Sequence, residues 1–492
     1  MQVAESPRPT TTDIAIIGTG FSGLGMAIRL KQAGRNDFTL FEKAEAIGGT
    51  WRDNHYPGIA CDVHSHLYSF SFAPNPNWSR MFSPGREICA YLQHCAERYG
   101  ILPHIRLGAE VRTATWLEPE RLWRLQTVGG ETVHARVLVA GMGGLSRPAI
   151  PRIPGLATFG GPQFHSAEWN HAVDLRGKRV AVIGTGASAI QFVPQIAPQV
   201  AQLTLFQRTP PWVMPKPDRR VTPLEHWLFR RVPATQRLYR LGIYCALESR
   251  VPGFTLFPGF LKLAQNLAKL HIHRHIRDPL LRAKLTPNYT MGCKRVLMSN
   301  DYYPALARAN VAVVTDAIAE VREHGVVTRD GVEHPADCLI LGTGFQATDP
   351  LPRGVLFGRG GLDILEAWRD GPEAYLGTTV SGFPNLFLLM GPNTGLGHNS
   401  MVYMIESQIH YVLGALAAMD ASGARALDVL PAVQNRFNRA IQQQLQQTVW
   451  QQGGCQSWYM NAAGKNVVLW PGATWRFRLQ TRHFDPRQYV AL

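Results

Sequence analysis

A chain of 492 residues is long for one hydrophobic core, so two or three domains are expected, and 45% hydrophobic with 17% charged residues excludes a disordered polymer. The formal net charge of +15 is concentrated: between Lys216 and Arg295, 16 Lys or Arg stand against only Asp218, Glu225, Glu248 and Asp278. Such a block would suit nucleic acid, but no nucleic-acid motif accompanies it, so no nucleic-acid partner is expected.

The opening MQVAESPRPTTT is polar and Pro-containing, with no basic start before an apolar core, and reads as a loose tail and not a signal peptide. An apolar run at Ile14–Ile17 then passes through Gly18-Thr19-Gly20-Phe21-Ser22-Gly23 into apolar residues at helical spacing. That is strand, tight turn, helix. Gly18 permits the turn, Gly20 lets backbone approach a pyrophosphate, and Gly23 lets helix and strand pack closely. The free N–H groups of the helix start face the phosphates. The next strand, FTLFE, ends at Glu42, where a carboxylate can bond a ribose diol.

VHARVLVAGMGGLSRP (133–148) has the shape of a strand leading out of this unit, and FGGPQFHSAEWN (159–170) follows as an unusually aromatic connector. The strand–turn–helix pattern then recurs in RVAVIGTGASAIQFVPQI. Gly184, Thr185, Gly186, Ala187 and Ser188 form the turn, and Ala189 takes the third glycine position. The following strand ends in Gln207, Arg208 and Thr209 instead of an acid. An acid there would repel a 2′-phosphate, whereas Arg binds one bidentately. The first site therefore suits FAD and the second NADPH. A further apolar strand in VEHPADCLILGTGFQ (332–346) reads as the return crossing. The expected fold is α/β, with two Rossmann-like dinucleotide-binding domains: an FAD domain from 1–148 and 336–492, and an NADPH domain at 149–335.

Residues 216–290 leave this pattern and read as a basic helical insertion broken at Pro233, Pro252 and Pro258. Phe260, Leu263, Ala264, Leu267 and Leu270 form an apolar stripe, with Lys262 and Lys269 off it. The expectation is that the insertion roofs the substrate pocket with this stripe turned inward; the alternative is peripheral contact with a membrane interface. His271, His273 and His275 lack the spacing of a helical metal site and read as a solvated basic tip, so no metal is expected. No run of about 18 apolar residues suggests a membrane span. Seven cysteines, odd in number, scattered and never CxxC, argue against a disulfide framework, a zinc site and a dithiol redox pair, and make a reducing cytoplasm the default.

The connector FGGPQFHSAEW fits FxGxxxHxxxW, with Phe159, Gly160, His165 and Trp169 in the defining positions. It resembles the fingerprint of type I Baeyer–Villiger monooxygenases, within the flavin-containing monooxygenase superfamily; the family pattern continues with Pro or Asp where Asn170 stands here. The resemblance implies a segment that links the two nucleotide domains and helps the NADPH domain move, without proton transfer by His165. It extends over nearly the whole chain. GGTWRDNHYPGIACDVHSHLYSFSF (48–72) is similar to the family's flavin-binding stretch. That implies Gly49, Thr50 and Trp51 at the flavin, Asp62 near its reactive edge, Tyr68 below it, and Tyr56 against the nicotinamide nucleotide. Val111 and Gln191 join the cofactor-binding set on the same basis. GCKRVLMSNDYYPAL (292–306) is similar to the segment carrying the family's active-site arginine, which gives Arg295 that role and sets Lys294 beside Arg208 at the 2′-phosphate. GPNTGLGHNSMVYMIESQ (391–408) resembles the last flavin-contacting loop and helix, with Met401 near substrate. SWYMNAAGKN (457–466) resembles a mobile loop whose Trp, here Trp458, closes over NADP.

The chemistry these resemblances imply is reduction of FAD by NADPH, reaction with O₂ to a C4a-peroxyflavin, and attack on a ketone to give an ester or lactone. The nucleophilic peroxide needs a fixed positive charge and a closed site. Arg295 supplies a charge that does not titrate away, and Asp62 can orient it and offset its burial. The nearest alternative is N- or S-oxygenation with the same flavin species. A non-catalytic cofactor-binding protein is a third reading, against which Arg295, Asp62 and both glycine loops argue.

Overall fold

A parallel strand covered on both faces needs a continuous apolar run, and β1 (Thr10–Ile17) has one: Ile14, Ala15 and Ile16 are fully buried. The computed structural model describes residues 10–348 and 351–492, so the tail expected at 1–9 lies outside the described residues. β1 leads into α1 (Phe21–Gln32), and β2 (Phe38–Phe41) returns parallel to β1 with Ile17 opposite Phe41. After the short α2 (Thr50–Asp53), β3 (Ile105–Arg106) extends the sheet beside β2. β4 (Val111–Leu117), β5 (Leu122–Thr127) and β6 (Thr132–Ala140) form an antiparallel meander, and β6 lies parallel to β1 on its other flank.

A second sheet follows. β7 (Gln163–His165), β8 (Arg179–Ile183), α3 (Ala189–Ile196) and β9 (Gln202–Phe206) precede the helical insertion. That insertion comprises α4 (Pro223–Arg231), α5 (Pro233–Glu248), α6 (Val251–Thr255), α7 (Leu261–His275) and α8 (Pro279–Leu285). β10 (Val311–Val314) and β11 (Cys338–Leu341) complete an all-parallel sheet in the order β10-β9-β8-β11-β7. The boundary expected at 336 falls before β11, which pairs inside the second sheet, so the return crossing comes after Leu341. The outgoing and returning crossings run side by side: Ala149 N donates to Gly344 O (2.8 Å) and Gln346 N to Arg147 O (2.9 Å). β12 (Leu356–Phe357) and β13 (Leu386–Leu388) then rejoin the first sheet beside β4 and β6, giving it eight strands among the described residues. The long α9 (Met401–Ser422) crosses α1 so closely that a Cβ on Gly25 would meet Ile409 and Phe70.

The insertion is helical as the sequence suggests, with Pro233 and Pro252 in first turns, where a missing N–H costs nothing. Thr222 and Glu225 form a reciprocal cap on α4. Phe229, Ile243 and Leu247 pack into the first core, and Ala268 packs with Trp212, Met291 and Cys293. The expected roof is corrected in two respects. Among the described residues of 216–290, only Tyr289 lines the large cleft. The stripe faces solvent except at Ala264, which packs beside Ala268: Phe260 and Leu263 are each 71% exposed, Leu270 64% and Leu267 49%. The covered face of α7 is Leu261, Ala268, His271 and Ile272. His271 is therefore not part of a solvated tip; it is buried and bonded to Ser299 O at 3.0 Å. No helix among the described residues is long and apolar enough to cross a membrane.

Candidate active site

The first glycine loop has the geometry of a phosphate cradle. Gly18 sits at φ 96°, and a Cβ there would lie 2.8 Å from Gly141 O; a Cβ on Gly23 would lie 1.8 Å from Gly18 O. Those contacts leave glycine as the residue that fits both positions. Gly20 faces Gly49, whose Cβ would meet Gly20 Cα at 3.0 Å, so two backbone turns converge ahead of α1. Glu42, at the end of β2, is buried and accepts from Thr19 N (3.1 Å) and Thr19 Oγ1 (2.6 Å), with Arg52 Nη1 3.0 Å away. Thr50 opens α2, and Trp51 Nε1 donates to Tyr68 OH at 3.3 Å. Burial pushes the Tyr68 phenol well above its ordinary pKa. Val111 is placed elsewhere, at the start of β4 opposite Thr127 and away from the cleft lining.

A cleft of about 1040 Å³ runs from Thr50, Trp51, Asp62 and Tyr68 to the second glycine loop. Gly184 (φ 109°), Thr185, Gly186, Ala187 and Ser188 line its far end, and nothing stands within 4 Å of a Cβ on Gly186. Thr185 Oγ1 donates to Thr209 O at 3.2 Å, closing the loop onto the end of β9. Arg208 is exposed there, and Lys294 lies close enough that its ammonium is held below the usual lysine range, by burial first and then by the Arg208 charge. Two cations drawn together at a cleft wall suit a dianionic phosphate. Tyr56 OH donates to Gln191 Oε1 (3.0 Å), and Gln191 Nε2 donates to Ala60 O (2.9 Å), so these residues stitch the two nucleotide units together. Burial pushes the Tyr56 phenol up to about 12.

The aromatic connector is an edge strand of the second sheet, not an irregular linker. In β7, His165 pairs with Leu341 of β11, and His165 Nδ1 accepts from Ala167 N at 3.1 Å. The ring is buried, which lowers its pKa, and meets Phe345 edge-on at the returning crossing. Trp169 packs against Phe192 of α3, Phe159 against the opposite face of the sheet, and Gly160 N donates to Glu323 O. None of the four lines the cleft. The bulky residues anchor the sheet edge next to the paired crossings.

At the centre, Arg295 Nε and Nη2 both reach Asp62 Oδ2 (2.8 and 2.7 Å), while Nη1 donates to Leu396 O at 3.3 Å. The Asp62 charge holds the guanidinium above even its usual range. Met401 lines the same cleft at the start of α9, and Trp458, 45% exposed, lies over it.

Three features escaped the sequence reading. Tyr459 is 1% exposed, its hydroxyl has no hydrogen-bond partner among the described residues, and it senses the Arg295 and Asp62 charges; burial raises it to about 12. Glu248, at the end of α5, accepts from Asn399 Nδ2 (2.6 Å), Thr474 Oγ1 (2.8 Å), Thr474 N (3.0 Å) and His398 Nε2 (3.3 Å). It ties the insertion to the loop whose Leu396 carbonyl holds Arg295. The third is a correction. Cys293 and Cys455 form a disulfide across 162 residues, so the expectation of no disulfide fails. The bond joins the segment of Lys294 and Arg295 to the loop of Trp458. The other five cysteines are free.

The family model described as flavin-binding monooxygenase-like matches residues 11–239. A Baeyer–Villiger monooxygenase of Pseudomonas aeruginosa is 57% identical, covering 99% of this chain and 94% of its own length. One from Streptomyces coelicolor is 50% identical, covering 97% and 92%. Among solved structures, cyclohexanone monooxygenase from Rhodococcus sp. Phi1 bound to NADP⁺ superposes with a TM-score of 0.87 at 30% identity, covering 98% of this chain and 99% of its own.

Proposed function

This chain belongs to the Baeyer–Villiger monooxygenase family, and we propose that it takes a ketone, O₂, NADPH and a proton to an ester or lactone, water and NADP⁺. The observation that carries this reading is the Arg295–Asp62 pair in the cleft that runs from the flavin stretch at Thr50 and Trp51 to the second glycine loop. FAD, when bound, accepts hydride from NADPH and activates O₂ for transfer to the carbonyl carbon. The chain's own residues supply the rest. The backbone turns of Gly18–Gly23 and Gly49 would hold the FAD pyrophosphate, and Thr50, Trp51 and Tyr68 would seat the ring. Gly184–Ser188 receive the NADPH pyrophosphate, Arg208 and Lys294 its 2′-phosphate, and Tyr56 with Gln191 flank the nicotinamide half.

With Nε and Nη2 held by Asp62 and Nη1 by Leu396 O, Arg295 keeps one further N–H on each of Nη1 and Nη2 for negative charge developing on a carbonyl oxygen. Because Asp62 keeps the guanidinium charged, no proton is lost to the reacting centre. Met401 borders the ketone pocket, and Trp458 closes the solvent side, excluding water from a charged reaction. We place the chain in the cytoplasm on its use of NADPH alone, since the Cys293–Cys455 disulfide removes the cysteine argument for a reducing compartment. The test is product mass: holoenzyme with NADPH, O₂ and linear, cyclic and aryl ketones yields products one oxygen heavier that hydrolyse as esters. Oxidation of sulfides or amines with no ester from any ketone would return the reading to heteroatom oxygenation.

A further inference from the structure

α7 is apolar on two sides. Its covered face packs Ala268 against Trp212, Met291 and Cys293, immediately before Lys294 and Arg295. Its outward side carries Leu263, Leu267 and Leu270, continued one turn earlier by its N-cap Phe260, at spacings of three and four, all exposed. Leu256 (65%) and Phe257 (58%) extend the surface from the turn before it, where Phe257 meets Phe260 edge-on at 5.9 Å. Proteins that act alone in water rarely leave a contiguous apolar ridge of this kind uncovered. Polar residues on the outer face would have served a helix whose only role was to cover its neighbours.

The charge around this ridge is one-sided. Lys262, Lys269, Arg274 and Arg277 are exposed and make no ion pair among the described residues. The four acids of the block are already engaged. Asp218 pairs with Arg80, Glu225 with Arg219, Glu248 lies in its bonds to the loop at 398–399, and Asp278 caps α8. A bare apolar ridge flanked by unpaired cations is complementary to one kind of partner, an apolar layer faced with anions.

We propose that the outward face of residues 256–277 docks on an anionic phospholipid surface, with Phe260, Leu263, Leu267 and Leu270 entering the headgroup boundary and Lys262, Lys269, Arg274 and Arg277 meeting phosphates. This sets the segment of Arg295 one helix away from the lipid. It rests on nothing in the ketone reading, because docking is measured without turnover.

The experiment sediments FAD-loaded protein with vesicles of phosphatidylglycerol and phosphatidylcholine, or of phosphatidylcholine alone, in the absence of ketone. Binding to the mixed vesicles, at least roughly tenfold weaker on the neutral ones and in high salt, is expected. The triple variant Lys262→Gln, Lys269→Gln, Arg274→Gln and the double variant Leu263→Gln, Leu267→Gln should each cut binding roughly tenfold or more. Both carry only exposed changes, and retention of FAD verifies their fold. Absence of binding at low salt overturns the proposal, as does binding that ignores the leucine substitutions, which would be charge adsorption. Concentration-dependent dimerisation abolished by the double variant, without vesicle binding, also overturns it and makes the ridge a contact between copies.

Discussion

Arg295 receives two bonds' worth of orientation from a single Asp62 oxygen and a third from the Leu396 carbonyl. Replacing Arg295 with Ala removes the charge without touching either glycine loop. FAD should stay bound and NADPH should still be consumed, while ester formation falls by about 10²–10³ and hydrogen peroxide replaces it; parallel assays of NADPH, peroxide and ester check this. Tyr459 gives a second prediction. Its hydroxyl is buried without a partner, so Tyr459→Phe should cost no stability. If the phenol acts on the reacting centre through its closeness to the Arg295–Asp62 pair, ester formation should drop roughly tenfold with unchanged Tm; an unchanged rate assigns the residue to packing alone. Arg295 and Asp62 were legible because their segments resemble family motifs. Tyr459 was not: it follows Trp458 in a loop whose course the sequence does not disclose, and only burial brings it to the pair.

Elements carry the next set of effects. His66 sits where α4 and α5 meet the flavin stretch itself, against Phe229 and Tyr239, with Gln236 Nε2 3.1 Å from its Nδ1. Burial lowers its pKa to about 4, with Glu225 acting against and His64, Arg240 and His226 acting with it. The unfolded chain binds the proton first, so this contribution is present above about pH 6.5 and is lost as pH falls towards 4, by up to about 3 kcal/mol. Acid should therefore loosen the insertion before it unfolds the sheets, read as amide exchange rising first in α4 and α5; uniform exchange across the chain would remove His66 as the cause. The disulfide belongs to the same scale. Cys455→Ser should leave both nucleotide sites folded and raise exchange and proteolysis in the loop around Trp458, with a stability loss of about 0–5 kcal/mol. Unaltered protection of that loop would show that packing, not the bond, holds it. Neither feature was readable beforehand. The cysteines lie 162 residues apart, where spacing carries no pairing information. For α7 the period marked the helix, but both of its sides are apolar, so the pattern did not tell which one the fold would cover. The short β7 was hidden by its Gly-Gly-Pro start, whereas β1, β8 and their glycine loops were plain because turn chemistry and an apolar run coincide there.

At the scale of the whole molecule, two nucleotide units meet at one cleft, joined by paired crossings and by the Tyr56–Gln191–Ala60 bonds. This architecture was legible because the strand–loop–helix pattern occurs twice and the chain returns once; the exact return point was not, since β11 reads equally well on either side of a boundary. The proposed 2′-phosphate site at Arg208 and Lys294 predicts selectivity between reductants. Arg208→Ala should raise KM for NADPH by about 10- to 100-fold, equivalent to about 1.5–3 kcal/mol, and leave NADH almost unaffected; equal losses with both would place the 2′-phosphate elsewhere. The central claim is that oxygen from O₂ is inserted beside a ketone carbonyl under the charge of Arg295. Its most direct test is turnover of a ketone with NADPH under ¹⁸O₂, with mass analysis of the product. One ¹⁸O atom is expected in the ester oxygen with the wild-type protein, and almost no labelled ester with Arg295→Ala. An unlabelled product, or labelled ester formed at the normal rate without Arg295, would contradict it.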